Sequence, residues 1–285
     1  MARSTLWHGT ADVTGTTPPS APAFSTVTAN GLRINYKLDG PEDGPVVMLS
    51  NSLLSNLTMW DDQTAALTGA GFRVLRHDTR GHGGTAAPDV PYSIRMFADD
   101  AAALLAALDI ARVHFVGLSM GGFIAQLMAV HHPGKIASLC LCDTACVMPP
   151  ADLWNDRIRT ATQSGVAALV RGTLQRWFTE PFHGAHPEAI ARVRAMIEAS
   201  PLVGYLRCAA AIRDMDQYAL LGQITVPTRI IVGEEDPACP VAAARVLHSG
   251  IAGSELVIIP DAAHLPNIEK ADAFNAALLG FLTRQ

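Results

Sequence analysis

Charged residues are scarce in this sequence, where they make up 16% of 285 residues and leave a formal net charge of only -5. The lysines and arginines are scattered along the chain, so no basic surface for nucleic acid or an anionic membrane is predicted. Uninterrupted apolar runs of about 18 residues, the length that crosses a bilayer, are also absent. Nucleic-acid binding and membrane insertion are therefore excluded from the expected functions. The 49% of hydrophobic residues is typical of a globular enzyme with a large core.

Cysteine is rare and odd in number. No C-x-x-C spacing occurs, and most of the cysteines have apolar neighbours, which favours buried free thiols over a disulfide framework or a zinc site. The five positions are Cys140, Cys142, Cys146, Cys208 and Cys239. We therefore expect a reducing compartment, the cytoplasm. Residues 1–23 are rich in Thr, Pro and Ser and have no apolar region long enough for a signal peptide, so they are predicted to be a flexible leader.

Beyond the leader, the hydrophobic pattern alternates between the periods of strands and helices. β-rich runs such as "VVMLS", "VHFVGL" and "IASLCLC" alternate with helical stretches, which predicts an α/β protein with a mostly parallel twisted sheet flanked by helices. Between residues 149 and 215 the β-rich runs stop and apolar residues recur at helical spacing. We interpret 149–215 as a helical lid inserted into a core formed by residues 24–148 and 216–285.

Three helix boundaries are predicted from local signals. One helix is expected over residues 56–70, between two β-rich runs. A second is expected to begin at Ser93, whose hydroxyl can cap it, and a third to end before Pro133.

One serine lies among glycines where a predicted buried strand meets a predicted helix. Residues 117–121 read Gly-Leu-Ser-Met-Gly, the G-x-S-x-G pattern of a nucleophile on a tight strand-to-helix turn. The alternative is a serine that only caps the helix. The strand-turn-helix placement favours Ser119 as a nucleophile.

A nucleophilic serine needs a base, and the base needs an acid that orients it. In this architecture both follow the serine, acid first, on loops after later strands. Asp236 follows the β-rich run "RIIVG", and His264 lies in the loop after "LVII". They are the candidate acid and base, although Glu234, Glu235 and Asp261 are neighbouring carboxylates that could replace Asp236.

Backbone N–H groups must also stabilise the oxyanion that forms during acyl transfer. The residue after the nucleophile, Met120, is one candidate donor. Leu53, in the loop after the "VVMLS" run, is the other, although it could equally be an apolar residue that covers the core.

The chain resembles the α/β-hydrolase fold over residues 24–285. This resemblance rests on the order serine, acid, histidine, on "HDTRGHG" after a strand, on "GLSMGG" and on the helical insertion. The stretches that resemble the 3-oxoadipate enol-lactonases of aromatic-compound breakdown are "LSNSL" followed by "MW", "RHDTRGHGGT", "LWNDRI", "LQRWFT" and "HLPNIEKADAF". The resemblance implies structural roles for Asp78 and Arg80 and places Trp154 at the substrate pocket. Trp154 is equally suited to a core aromatic residue that joins lid and base.

Two positions depart from the enol-lactonase pattern, and both are retained as substrate-binding candidates. Val147, in "DTACVMPP", stands where that family has a basic residue suited to a substrate carboxylate. Leu54 stands where the family has glycine, close to the proposed oxyanion loop. Arg157, in "WNDRI", is a candidate replacement cation, unless it is a solvated surface charge.

We therefore predict a serine hydrolase that opens a small lactone or cleaves a small carboxylic ester through an acyl-enzyme, without a metal or organic cofactor. Its expected partner is the small-molecule substrate, and the oligomeric state is left open. A carboxylesterase, an amidase or a C–C bond hydrolase could use the same triad, whereas a haloalkane dehalogenase needs a carboxylate at position 119. A slow-turnover ligand receptor, with the lid as its signalling surface, is the alternative from another functional class.

Overall fold

The computed structural model describes residues 24–148 and 150–285, and an eight-stranded sheet lies at the centre of this part of the chain. Its strands are β1 (Ser25–Ala29), β2 (Leu32–Asp39), β3 (Val46–Ser50), β4 (Arg73–His77), β5 (Val113–Leu118), β6 (Ile136–Cys142), β7 (Thr228–Gly233) and β8 (Glu255–Ile259). The spatial order is β1-β2-β4-β3-β5-β6-β7-β8. Only the pairs β1–β2 and β2–β4 are antiparallel. The predicted mostly parallel sheet is confirmed, and the predicted leader lies outside the described residues.

The described helices flank this sheet or lie between β6 and β7. They are α1 (Asp61–Gly69), α2 (Ile94–Ala107), α3 (Met120–His131), α4 (Ala151–Ser164), α5 (Val170–Trp177), α6 (Glu180–Ala185), α7 (Pro187–Glu198), α8 (Leu202–Arg213), α9 (Val241–Gly250), α10 (Pro266–Glu269) and α11 (Ala271–Leu282). Helix α2 packs on α3 and helix α1 packs on α11. All residues of β5 and β7 are buried, as expected for central strands covered on both faces.

Local signals set two of the three predicted helix ends. The Ser93 hydroxyl accepts a hydrogen bond from the Met96 N–H (3.1 Å) and caps α2. Helix α3 ends at His131, two residues before Pro133. The helix predicted over residues 56–70 differs, because its first turn is a 3-10 turn over Leu57–Trp60 and the α-helix begins only at Asp61.

The carboxyl ends of five parallel strands meet at one edge of the sheet. Ser50 of β3 pairs with Gly117 of β5, and Cys142 of β6 pairs with Ile231 of β7. Ile259 of β8 then pairs with Gly233 of β7. The loops that follow these strands are therefore neighbours, although the chain segments that form them are far apart in sequence.

Helices α4, α5 and α8 lie over this edge of the sheet. Residues of α4, α5 and α8 line a cavity together with residues from the loops after β3, β5, β7 and β8. The Leu265 N–H also donates to the Trp177 carbonyl at the end of α5 (3.1 Å). Residues of α4, α5 and α8 therefore form the roof of the cavity, and the sheet edge forms its floor.

Among the described residues, no single helix is long and apolar enough to cross a membrane. Helices α7 and α8 reach that length and composition only as a pair, with a bend of 92° between them. Each of the two helices buries part of its apolar residues inside the protein.

Candidate active site

Ser119 occupies the turn between β5 and α3 in a backbone conformation that few non-glycine residues adopt. Its φ is 56° and its ψ is -113°, outside the regions favoured by L-residues. A Cβ atom at Gly117 would collide with the Gly121 carbonyl oxygen, and one at Gly121 would collide with the Ser50 carbonyl oxygen. The two glycines therefore let strand, turn and helix approach closely enough to hold the strained serine.

His264 and Asp236 form a buried hydrogen-bonded pair. His264 Nδ1 lies 2.8 Å from Asp236 Oδ2, and Asp236 Oδ1 accepts hydrogen bonds from the N–H groups of Ala238 (2.7 Å) and Cys239 (3.0 Å). Since an ionised carboxylate only accepts, the Nδ1 atom carries the proton and Nε2 is left as the basic nitrogen. The three alternative carboxylates, Glu234, Glu235 and Asp261, are all exposed.

Ser119 and His264 line the same cavity, which has a volume of about 280 Å³. Among the described residues, the His264 ring has a hydrogen bond only to Asp236. Hydrogen bonds between a serine and its base often tighten only in the complex with substrate. The residues that line the cavity are Ser52, Leu53, Ser119, Phe123, Met148, Pro150, Leu153, Trp154, Arg157, Arg176, Trp177, Ile212, Pro237, Ala238, Cys239 and His264.

The backbone N–H groups of Leu53 and Met120 are both available as donors. Neither group donates to another residue in the described part of the chain. Leu53 lines the cavity beside Ser119, and Met120 is the first residue of α3, where N–H groups have no intrahelical acceptor. Both N–H groups are therefore left without an acceptor within the described chain, as a donor to an oxyanion must be.

Leu54 does not line the cavity, in contrast to its predicted contact with substrate. Its side chain is buried in the core and its φ is 65°, so a leucine occupies a left-handed conformation that usually favours glycine. The Leu54 N–H donates to His82 Nε2 (3.2 Å), and His82 Nδ1 lies 3.2 Å from the Arg80 carbonyl oxygen. His82, which the sequence did not single out, therefore braces the loop that carries the Leu53 donor.

Asp78 and Arg80 hold the loop after β4. The Asp78 carboxylate accepts hydrogen bonds from the N–H groups of Leu57 and Gly84, each at 2.8 Å. Arg80 forms a bidentate ion pair with Asp100, and both N–O distances are 2.7 Å. Neither residue lines the cavity, which fits the structural roles expected for them.

His77 and His82 make the stability of the fold sensitive to acid. Burial lowers the pKa of each ring to about 4, whereas an unfolded histidine titrates near 6.5. The unfolded state therefore binds more protons once the pH falls below about 6.5, and stability is lost progressively down to about pH 4. Each histidine accounts for roughly 3 kcal/mol of this loss.

We expect His82→Gln to lose less stability in acid than the wild type, because glutamine can accept from the Leu54 N–H but does not titrate. Denaturant unfolding at pH 7 and pH 4.5 measures the difference. His186 is exposed, so His186→Gln is the matched control and should keep the acid dependence of the wild type. An equal acid loss in His82→Gln and the wild type would contradict the assignment of a neutral, buried His82.

The roof of the cavity carries two arginines. Arg157 on α4 and Arg176 on α5 both line the cavity, and within the described chain neither forms a salt bridge with a carboxylate. The Arg157 guanidinium lies over the Trp154 ring, 4.8 Å from its centre, and its Nε is buried without a hydrogen-bond partner. Burial, and then the charge of Arg157, lower the pKa of Arg176 to about 10.

Trp154 and Val147 have different positions relative to the cavity. Trp154 is buried and lines the wall, as expected for a pocket residue. Val147 is not among the lining residues, and its backbone instead forms an isolated bridge with Asp216. The structure therefore does not bring Val147 to the position where a basic residue was expected, and Arg157 and Arg176 supply positive charge from the roof.

Arg176 and Thr144 belong to this site but were not predicted from the sequence. Arg176 lies in an amphipathic helical stretch, and nothing in its spacing distinguishes it from a surface arginine. The Thr144 hydroxyl donates to the Ser119 carbonyl (2.8 Å), and its link to the serine depends on the pairing of β5 with β6.

Among the described residues, one group of side chains could hold a metal ion. The ligand atoms of Asp236, Cys239 and His264 lie within 4.8 Å of one another. Both oxygens of Asp236 already accept hydrogen bonds. Burial, followed by the charge of Asp236, raises the pKa of the Cys239 thiol well above its usual value, whereas a metal ligand must be a thiolate. The group therefore fits a hydrogen-bonded acid–base pair better than a metal centre.

Comparison with known proteins gives similarities that extend over most of the chain. The sequence pattern of the family described as "Alpha/beta hydrolase family" matches residues 54–277. A 3-oxoadipate enol-lactonase 2 from Acinetobacter baylyi is 33% identical over 259 residues, which cover 91% of this chain and 96% of the relative.

Solved structures agree with this sequence match. The enol-lactonase from Burkholderia xenovorans LB400 is 38% identical with a TM-score of 0.89, covering 91% of this chain and 100% of that one. A thermophilic esterase from Thermogutta terrifontis, solved with malate bound, is 28% identical with a TM-score of 0.86, covering 92% and 99%. The resemblance predicted from the sequence motifs is therefore confirmed.

Proposed function

The chain belongs to the alpha/beta hydrolase family, and we propose that it hydrolyses a small ester or lactone that carries a free carboxylate, through an acyl-enzyme on Ser119. The observation that carries this proposal is the polarity of the cavity. Ser119 and His264 lie at its floor, and the guanidinium groups of Arg157 and Arg176 lie at its roof. The floor supplies the hydrolytic chemistry, and the roof supplies the preference for an anion.

The proposed reaction begins when the Ser119 hydroxyl attacks the carbonyl carbon and His264 Nε2 takes its proton. Asp236 holds the ring through Nδ1 and stabilises the imidazolium that forms. The N–H groups of Leu53 and Met120 stabilise the negative charge on the tetrahedral oxygen. His264 then protonates the leaving enol or alcohol, and water, activated by the same histidine, hydrolyses the acyl-enzyme.

A substrate carboxylate is supported by the electrostatics of the roof. Two guanidinium groups close enough for one to lower the pKa of the other repel each other, and an anion between them removes that repulsion. An arginine binds a carboxylate through two parallel hydrogen bonds, which also fixes the orientation of the substrate. The malate in the esterase from Thermogutta terrifontis is itself a small dicarboxylate.

The helical segment at residues 149–215 is proposed to act as a lid over this cavity. It contributes Trp154, Arg157 and Arg176 to the wall, and the sheet edge contributes the reacting groups. For the location of the protein we propose the cytoplasm, because the five cysteines are all free and buried, as expected in a reducing compartment.

A fluorophosphonate probe is expected to label Ser119 and no other serine, because only a serine with a base and an oxyanion hole reacts quickly with this electrophile. Mass spectrometry of the labelled peptides identifies the site, with heat-denatured protein as the control. An adduct on another serine, or none on the folded protein, would remove the nucleophile from the proposal.

Turnover distinguishes this enzyme from a receptor on the same fold. A screen of small lactones and esters, each with and without a free carboxylate, is expected to give many cycles per protein molecule on an acid-bearing substrate. A receptor would stop after about one equivalent. Product formation that ends at one equivalent for every substrate would contradict the proposal.

A further inference from the structure

Asp143 is a buried carboxyl group that the proposed reaction does not use. It follows β6, is fully buried, and has a φ of 43°, a strained conformation for this residue. Its N–H donates to the Ile231 carbonyl (2.9 Å), and its Oδ1 accepts from the Gly233 N–H (2.8 Å). Within the described chain its Oδ2 has no hydrogen-bond partner. A buried oxygen without a partner is costly if the group is ionised.

Asp236 has one acceptor position left for such a partner. An ionised carboxylate offers about four acceptor positions. Three are filled, by the N–H groups of Ala238 and Cys239 on Oδ1 and by His264 on Oδ2. Asp236 also lies close to the strand end that holds Asp143, because its own N–H donates to the Gly233 carbonyl (3.2 Å). The Gly233 N–H therefore binds the Asp143 side chain and the Gly233 carbonyl binds the Asp236 backbone, so both acids lie next to this residue.

The charges around Asp143 disfavour its ionised form. Burial comes first and the negative charge of Asp236 comes second in raising the pKa of Asp143 well above its usual value. The titratable groups that face it are Asp236, Glu269, Cys142 and Cys239, with His264 beyond Asp236. These groups include no lysine or arginine, so nothing among them offsets a second negative charge.

We propose that Asp143 stays protonated at neutral pH and donates a hydrogen bond from its Oδ2 to Asp236. The acid of the site is then a carboxyl–carboxylate pair that holds one negative charge. Two carboxyl groups that share one proton in this way are a stable arrangement, because both cannot ionise side by side. Asp143 does not touch the substrate and acts through Asp236 and His264, so it is a positioning residue. The inference rests on the proposed triad.

The shared proton sets how strongly Asp236 acts on His264. A donor on Asp236 draws part of its negative charge away from the imidazole ring, which limits the stabilisation of the imidazolium. The neutral, basic form of His264 then persists to lower pH. Without the donor, the full charge of Asp236 faces the ring, and the base becomes protonated at higher pH.

The test compares Asp143→Leu with Asp143→Asn in the full-length protein. Leucine branches at the same carbon but is larger and has no donor, whereas asparagine keeps an acceptor for the Gly233 N–H and an N–H donor for Asp236. Asp143→Leu is expected to lower kcat about tenfold or more with little change in KM, because Asp236 loses a hydrogen bond that holds its carboxylate in place beside His264. The acid limb of kcat/KM should move up by about one pH unit. Asp143→Asn should restore most of both.

A merely structural role predicts a different pattern. It would lower activity in both variants, in line with their stability, and leave the acid limb at the pH of the wild type. Either finding overturns the proposal. Glu234 is an exposed carboxylate on the same loop as Asp236, so Glu234→Gln is the control for removal of a negative charge and should behave as the wild type.

The pH dependence of unfolding keeps the test decisive if Asp143→Leu does not fold. A carboxyl group whose pKa is raised in the folded state costs stability as the pH rises above the unfolded value near 4. The stability gained by Asp143→Asn over the wild type should therefore grow with pH, up to about tenfold in the unfolding constant per pH unit. A gain that is independent of pH would show that Asp143 is ionised and overturn the shared proton. Ser119→Ala separates the two hypotheses, because activity near the wild-type level in that variant contradicts the triad itself.

Discussion

Replacing Ser119 or His264 by alanine is expected to lower kcat by at least about a thousandfold, while the protein folds normally. The serine and its base act as one unit, so removing either removes most of the covalent route. The double variant should be little worse than either single variant, because only the contribution of the oxyanion donors and of substrate binding remains. Steady-state kinetics on the best substrate of the screen measure these values.

Stability provides the control for this comparison. Relief of the strained Ser119 backbone is not expected, because alanine must adopt the same φ of 56°, so unfolding midpoints should stay close to the wild type. Ser52 lines the same cavity, and Ser52→Ala should cost less than about tenfold. Near wild-type activity in Ser119→Ala or His264→Ala would contradict the triad, and additive losses in the double variant would contradict a single unit.

Replacing both Arg157 and Arg176 by glutamine is expected to lower kcat/KM for a carboxylate-bearing lactone by at least about a hundredfold. Each charge-assisted contact to a carboxylate contributes about 1.5 to 3 kcal/mol, and two such contacts are lost together. The methyl ester of the same lactone lacks the anion and should lose less than about tenfold. The ratio of kcat/KM for acid and ester, measured in both proteins, gives the change in preference directly.

Two further variants separate the roof charges from other effects. Arg159 lies on α4 but is exposed and paired with Asp156, so Arg159→Gln should keep the preference of the wild type. Val147 lies away from the cavity, so Val147→Arg should not increase the preference for the acid. A wild type that prefers the methyl ester, or equal losses for acid and ester in the double variant, would contradict an anionic substrate.

Much of the fold, and the reacting groups at the floor of the cavity, can be predicted from the sequence, because both depend on local signals. Strand and helix periods indicate the parallel sheet, and the glycines around Ser119 indicate its tight turn. The order of the chain then leads to Asp236 and His264, since loops after neighbouring parallel strands meet at one edge. The alternative acids could be separated only by the structure, where they are exposed and Asp236 bonds to His264.

The features that escaped the sequence depend on contacts between distant segments. The brace from His82 to Leu54 spans 28 residues, and its partner could not be inferred from either stretch alone. The charge of the roof depends on how α4 and α5 pack, so Arg157 remained an open alternative and Arg176 was missed. Asp143 was not singled out from the sequence, and its relation to Asp236 appears only when β6 and β7 are paired.

The cavity draws its floor and its roof from separate stretches of the chain. In the proposed reaction, bond cleavage depends on loops at the edge of the sheet, whereas selection of the substrate depends on residues inserted between β6 and β7. Substitutions in this inserted segment can therefore change which substrate binds without altering the groups that cleave its bond. New substrate preferences should therefore arise most readily through changes in residues 150–215. Replacing this segment by the corresponding segment of a relative should transfer the relative's substrate selectivity.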